Sequence, residues 1–453
     1  MTEHKDVLVI GGGPAGVITA LTAKAVHSDI DVCLVKAVGA GVIPCAIPYM
    51  INSMADAEQN RMGDAPLEKA GVEIVVDEAV AFDPDGHTVT LASGTVLSYD
   101  RLVLATGTKP SRPPIPGADM PGVWAIEKSL DQTSRLREEA RAAGSVVILG
   151  GGFIGAEFAD ELASDSGTAV HVVEMLPGLL QAAFDEEFRE DIRESLEKAG
   201  VAVHTGVKAT SINGDGRVSS VTLETGEEIP ADLVVIGVGG RPDVDLAREA
   251  GLQITNGGSI WVDAYMRTSA ADVLAVGDCA LKRDFFTRRE VPVWLASTAT
   301  AEARVAGTNL FGIRVLRQIQ GTVAAFSTRI GGIAYGSAGL TAAQCAAEGF
   351  RCVVGQATAP DRHPGSLEGA YPMRVKLRFA EESGKLLGGQ VSGGPSAGEL
   401  INLIALGIQS GVTVSELDML QIATHPLLTS APTVHPLINA AHQALVSLNA
   451  ADR

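Results

Sequence analysis

Two stretches of this chain repeat one pattern, and few folds accommodate it twice. The first runs Asp6-Val-Leu-Val-Ile-Gly-Gly-Gly-Pro-Ala-Gly16 and the second Ser145-Val-Val-Ile-Leu-Gly-Gly-Gly-Phe-Ile-Gly155. Each is a short apolar run, three glycines in GxGxxG spacing, and an Ala-rich stretch of helical period. A second β-branched run follows each, Asp31–Lys36 and Ala169–Glu174. This is strand, tight turn, helix, strand, written twice. Gly11 and Gly150 permit the turn, Gly13 and Gly152 let backbone approach a pyrophosphate, and Gly16 and Gly155 let helix and strand pack closely. The helix N-terminus then offers N–H groups and a favourable dipole to phosphate. Two such units, 139 residues apart, predict two dinucleotide sites in an α/β protein.

The ends of the second strands separate the two sites. Glu174 lies 19 residues after Gly155, where a carboxylate accepts from a ribose 2′-OH and repels a 2′-phosphate. Met175-Leu-Pro177 follow without a basic residue, so NADH is expected over NADPH. The first repeat ends in Lys36, 20 residues after Gly16, which donates to a ribose oxygen but cannot accept from it.

Charge narrows the partners. There are 35 Lys and Arg against 54 Asp and Glu, a formal charge of −19. No basic face for nucleic acid or for an anionic membrane is expected. Apolar runs such as Leu233–Val238 fall far short of a bilayer span. Residues 2–6 lead directly into a strand without a signal-peptide apolar region, and five scattered cysteines form no secreted disulfide framework, so a cytoplasmic location is expected.

Further landmarks lie between and beyond the repeats. Tyr99–Gly107 reads as a buried strand ending in Ala105-Thr106-Gly107, and Pro110–Gly117 as a boundary. Leu233–Pro242 is another strand running into a Gly/Pro turn, and Ala271–Asp278 ends in Val-Gly-Asp. From about Gly321 strands (Met373–Phe379, Leu386–Gln390) alternate with helices (Ala397–Leu406). The order GxGxxG, Ala-Thr-Gly, GxGxxG, Val-Gly-Asp resembles the pyridine nucleotide-disulfide oxidoreductases over nearly the whole chain. The resemblance implies two Rossmann-like domains, one for FAD (1–117 and 245–321) and one for NAD (118–244). It also implies an α+β dimerisation domain (322–453) and a homodimer. The cofactor-binding residues it implies are Gly11, Gly13, Pro14, Ala15, Gly16, Lys36, Val80, Ala105, Thr106, Gly107, Asp278, Gly150, Gly152, Ile154, Gly155, Glu157, Glu174 and Gly239. Asp278 would hold the ribityl chain of FAD, and Glu157 would lie near the flavin–nicotinamide contact. No metal site is expected.

The stretch Gly41-Val-Ile-Pro-Cys45-Ala-Ile-Pro-Tyr-Met-Ile51 resembles the Cys-x-x-Pro-Tyr-x-Ile motif of the single-cysteine branch. That branch holds coenzyme A-disulfide reductases, NADH:polysulfide or persulfide reductases, NADH peroxidases and NADH oxidases. The two-cysteine pattern is absent, since Ala40 and Met50 stand five residues either side. Cys45 is placed where a glycine-containing loop enters a helix with Pro48 in its first turn, and a helix N-terminus favours thiolate. Cys33, Cys279, Cys345 and Cys352 read as structural. Pro14 stands where the oxidases and peroxidases carry a proton-donating His, and the third-domain tyrosines of coenzyme A-disulfide reductases are missing.

His425-Pro-Leu-Leu-Thr-Ser430 resembles the segment that supplies an acid/base His from the partner subunit in two-cysteine reductases, with Ser430 in place of the orienting Glu. His425 is the expected proton donor and His435 the second candidate. His4, His27, His87, His171, His204, His363 and His442 read as structural. The expected activity is FAD-dependent NADH oxidoreduction of a small disulfide, persulfide or polysulfide through Cys45 and His425. The alternatives are an NADH oxidase or peroxidase working through a cysteine sulfenate, and an NADH-dependent reductase of a small redox protein.

Overall fold

The computed structural model describes residues 3–164, 167–314 and 318–451. The chain forms two compact units. The first comprises Met1–Arg112, Ala125–Glu138 and Gly239–Thr322; the second comprises Pro113–Trp124, Glu139–Val238 and Val323–Arg453.

The first unit is built on a seven-stranded sheet. Its parallel part runs Glu73–Val76, Val32–Lys36, Glu3–Ile10, Val96–Leu104, with Val273–Ala275 added beside the last. Val9 sits between Leu34 and Val103 in register. Strands buried on both faces read as unbroken apolar runs, and Val7, Leu8, Val9, Leu102 and Val103 are wholly buried. An antiparallel extension, Thr88–Leu91 and Ala79–Asp83, completes the sheet. The helix Pro14–Val26 buries its small residues Ala15, Gly16, Thr19, Ala20 and Ala23. The helix Ala296–Thr308 packs on it so closely that a Cβ on Gly307 would meet the Thr19 carbonyl at 2.9 Å.

The second unit holds a five-stranded sheet, ordered Val123–Ala125, Leu233–Ile236, Ser145–Leu149, Ala169–Glu174, Ala202–Thr205. The pairs Ile148↔Val235, Ile148↔Val172 and Val172↔Val203 are parallel. The same unit carries a five-stranded antiparallel sheet of residues 326–393, where strands run Pro372–Ala380 and Leu386–Gly393. Helices Ala397–Ser410 and Pro436–Ala451 pack on it. The first of these runs one turn past the expected Leu406 and stops at Gly411, whose φ of 67° suits glycine. Asp185, at the N-cap position of the helix Glu186–Lys198, turns its carboxylate away from the helix and ties it to the antiparallel sheet. It accepts from Ala342 N–H, Lys376 and Arg378 at 2.7–2.8 Å. Burial works against its charge, but these donors outweigh burial and hold its carboxyl down at about 2. No helix among the described residues is long and apolar enough to cross a membrane.

Candidate active site

Each glycine loop is held by sterics that only glycine satisfies. Gly11 has φ +122°, and a Cβ there would lie 2.1 Å from the Ala105 carbonyl oxygen; on Gly16 it would lie 1.9 Å from the Gly11 oxygen. In the second loop Gly150 has φ +107°, and a Cβ on Gly155 would lie 1.9 Å from the Gly150 oxygen. The middle glycines differ. A Cβ on Gly13 or Gly152 would meet nothing within 4 Å, so each loop presents open backbone at the N-terminus of its helix. That combination of tight neighbours and an open middle fits a pyrophosphate at each loop. Pro14 and Ala15 open the first helix, and Phe153 and Ile154 the second.

The strand-end residues behave differently from each other. Glu174 is buried, and its two oxygens accept from Gly151 N–H at 2.6 Å and Leu176 N–H at 2.7 Å. The carboxylate is thereby fixed beside the glycine loop with lone pairs remaining for ribose hydroxyls. The Lys36 ammonium is taken up within the protein, by Gly39 O at 3.0 Å and Asp64 at 2.6 Å. Its stem packs against the loop, where a Cβ on Gly12 would meet Lys36 Cβ at 2.8 Å. Val80 falls at a register shift between Ala79 and Ala81, which leaves its backbone out of the ladder, and its side chain is exposed. Glu157 is buried and accepts from Thr328 Oγ1 at 2.7 Å.

Ala105-Thr106-Gly107 follows the central strand of the first unit. Thr106 Oγ1 donates to Asp243 O at 2.6 Å, Gly107 has φ +73°, and Gly239 accepts from Ser111 N–H at 3.0 Å. Asp278 lies on the short turn Gly277–Cys279, half-buried. Two features around it were illegible in the sequence. Lys128 reaches Asp278 at 3.4 Å and Thr108 Oγ1 at 2.9 Å. Beneath the turn, Glu302 accepts from Gly277 N–H and from Lys282, each at 2.9 Å, and Lys282 also donates to the Gly277 and Ala280 carbonyls. Lys282 and Glu302 are 2% and 1% exposed.

Cys45 is exposed, whereas Cys33, Cys279 and Cys345 are buried and Cys352 is half-buried. Burial pushes the Cys33 thiol up to about 12 and the Cys345 thiol to about 12, the state of an inert core thiol. The helix expected after Cys45 is not an α-helix. Two single 3₁₀ turns, Pro44–Ala46 and Pro48–Met50, occupy the segment. Pro48 has no N–H for the Pro44 carbonyl, and its ring would clash with that carbonyl in an α-helix, so Ile47 N–H takes the bond instead. An extended helix dipole behind Cys45 is therefore absent.

The histidines separate by burial. His425 is exposed in a local turn, where Leu427 N–H donates to its Nδ1 at 3.2 Å. Ser430, at the position of the orienting Glu, donates to Pro360 O. His435 is buried, its Nδ1 has no partner among the described residues, and burial holds its pKa below the usual histidine value. A neutral, buried ring is a poor acid at pH 7, which favours His425 between the two. His171 and His204 face each other at 3.3 Å. The only His/Asp group among the described residues arranged to hold a metal ion is His4, Asp6 and Asp100, near the starts of the two paired strands that lead to the Gly11 loop and to Ala105.

Residues 5–303 match the family model described as pyridine nucleotide-disulphide oxidoreductase, and residues 325–435 match that family's dimerisation domain. The chain belongs to the pyridine nucleotide-disulphide oxidoreductases. It is a flavoprotein reductase that uses FAD and NAD(P)H. An NADH oxidase of Methanocaldococcus jannaschii is 30% identical across 98% of this chain and 99% of its own length. An NAD(P)H coenzyme A polysulfide/persulfide reductase of Pyrococcus horikoshii is 30% identical across 96% and 97%. The solved structure of an NAD-dependent persulfide reductase from A. fulgidus superposes with a TM-score of 0.90 at 28% identity, over 99% of this chain and 84% of that one.

Proposed function

We propose that this protein is an NADH-dependent reductase of a small disulfide, persulfide or polysulfide, working through Cys45. The observation that carries the reading is the exposed thiol on a loop of the unit that holds the first glycine cradle and Asp278. The relatives named for persulfide and polysulfide reduction support the same substrate class. We assign FAD to 1–117 and 245–321, NADH to 118–244 and dimerisation to 322–453.

The Cys45 thiolate attacks a sulfur of the substrate. One S–S bond breaks, a thiol or hydrosulfide leaves, and Cys45 is left as a mixed disulfide or persulfide. Bound FAD and NADH supply the two electrons that return it to the thiol. His425 carries the proton for the departing thiolate. Glu174 selects NADH by its ribose contact, the open glycines receive the pyrophosphates, and Asp278, balanced by Lys128, meets the ribityl chain. Met419, Leu427 and Leu428 are highly exposed in the third domain, and a cytoplasmic homodimer would cover them.

Replacing Cys45 by Ser tests the reading. Reduction of disulfide, persulfide and polysulfide should disappear while NADH-driven reduction of a one-electron dye persists. Retained sulfur reduction would sink the proposal. Oxygen or peroxide turnover that needs Cys45 and exceeds sulfur turnover would favour the oxidase reading that the Methanocaldococcus relative's name carries. Pro14, unable to give a proton, stands against it.

A further inference from the structure

The segment that carries Cys45 has little structure of its own. Between Gly41 and Ala55 the backbone makes a two-residue ladder, Gly41↔Met62 and Val42↔Arg61, followed by two 3₁₀ turns and a few turn hydrogen bonds. Further support comes from the helix Leu130–Ala142, whose residues up to Glu138 lie in the same compact unit.

That helix grips the segment at both ends. At the start, Leu130 N–H donates to Ala40 O at 3.2 Å, and Ser129 bridges to Gly41 in antiparallel fashion. At the end, one side chain does the work. Arg137 Nε donates to Met50 O at 2.6 Å, and its Nη2 donates to Met54 O at 3.1 Å and Ala55 O at 2.8 Å. A helical end leaves its last carbonyls without intrahelical partners, and here a guanidinium fork closes three of them together. The middle is fixed by wholly buried Asn60, whose backbone carbonyl accepts from Ile43 N–H at 3.1 Å and whose side-chain Nδ2 donates to Met50 Sδ at 3.0 Å.

We infer that Arg137 is the positioning residue of the reactive cysteine: by closing the Met50, Met54 and Ala55 carbonyls it fixes the segment from which Cys45 attacks sulfur. The inference rests on the assignment of Cys45 as the redox thiol. Arg137 touches no reacting atom. Its contribution is geometric, and a displacement of about 1 Å at a reacting group costs on the order of 10²-fold in rate. A lysine cannot substitute, because one compact ammonium does not span three carbonyls.

The test compares Arg137→Ala and Arg137→Lys with the wild-type holoenzyme. Three readouts are taken: the alkylation rate of Cys45 by iodoacetamide, disulfide turnover, and NADH-driven reduction of a one-electron dye. Both variants should lose roughly ten- to a hundred-fold in disulfide turnover. The alkylation rate should change several-fold, while FAD content and dye reduction stay at wild-type levels. Millimolar guanidinium should restore part of the turnover of Arg137→Ala, and equimolar urea should not. Hydrogen exchange should speed up in residues 44–55 and not elsewhere in the unit. Wild-type alkylation and turnover in Arg137→Ala would overturn the inference. So would a parallel loss of FAD and dye reduction in both variants, which marks a general folding role. If Cys45→Ser itself retains disulfide turnover, the functional reading fails, and the alkylation and exchange rates still decide the role of Arg137.

Discussion

Replacing Glu302 by Gln strikes the most deeply buried charge pair of the first unit. Gln can still accept from Gly277 N–H, so the substitution changes charge more than shape. Lys282 keeps the Gly277 and Ala280 carbonyls but loses its counter-charge at 2% exposure. Removing one partner of a buried pair costs about 3–5 kcal/mol. The two carbonyls that remain put the expected loss near the lower end, about 3 kcal/mol. Burial already pushes the Glu302 carboxyl up against the pull of Lys282, so the pair itself adds little net stability. Removing both charges should accordingly be far milder: Glu302→Leu with Lys282→Met is expected within about 1 kcal/mol of wild type. Urea unfolding of the FAD-loaded protein, followed by flavin fluorescence and far-ultraviolet circular dichroism, measures both. Because Gly277 precedes Asp278, flavin should be released before the bulk of the helix melts in Glu302→Gln. A single variant as stable as wild type, or a double variant no better than the single, would refute the reasoning.

Glu174→Ala should erode the preference for NADH over NADPH, read as the ratio of kcat/KM values; an unchanged ratio would show that Glu174 does not read the ribose. Asp185 is held at about 2 in the folded chain against 3.8 ordinarily, so its pairs contribute about 2 kcal/mol that is fully present above pH 4. That contribution should fade as pH falls from 4 to 2, and Asp185→Asn should flatten this part of the stability–pH curve. His425→Ala should slow turnover by ~10²-fold, most with substrates whose leaving thiols are basic, while His435→Ala at pH 7 should act mainly through stability.

The parts of this protein that could be read from sequence are those written in adjacent residues. Gly11 and Gly16, and their counterparts 150 and 155, have backbone duties that no other residue performs, and Gly13 and Gly152 between them leave open backbone, so the spacing alone predicts two cradles. Cys45 stood out by its motif, and its exposure agrees with a reactive thiol. The helix expected behind it failed because two prolines four residues apart look helix-compatible singly and exclude an α-helix together. Lys36 also reads differently once folded, because Asp64, 28 residues on, engages its ammonium. Lys128, Arg137, Lys282 and Glu302 carried no signal. Each acts on a turn 20 to 150 residues away in the chain or within a buried pair, a separation that local patterning does not report.

The threading of the first unit sets an order on its birth. Its sheet is incomplete until Ala275 aligns beside Leu104, and the Asp278 turn comes three residues later still. The parallel sheet of residues 123–236 is written entirely between those strands. A ribosome adding about 5–20 residues per second needs roughly 10–30 s to pass from Leu104 to Ala275. During that interval the inserted sheet can close on itself, while the earlier strands wait with one edge of their sheet unpaired. The nucleotide site that comes second in the sequence is thus able to form first, and the site that begins at the N-terminus is finished last.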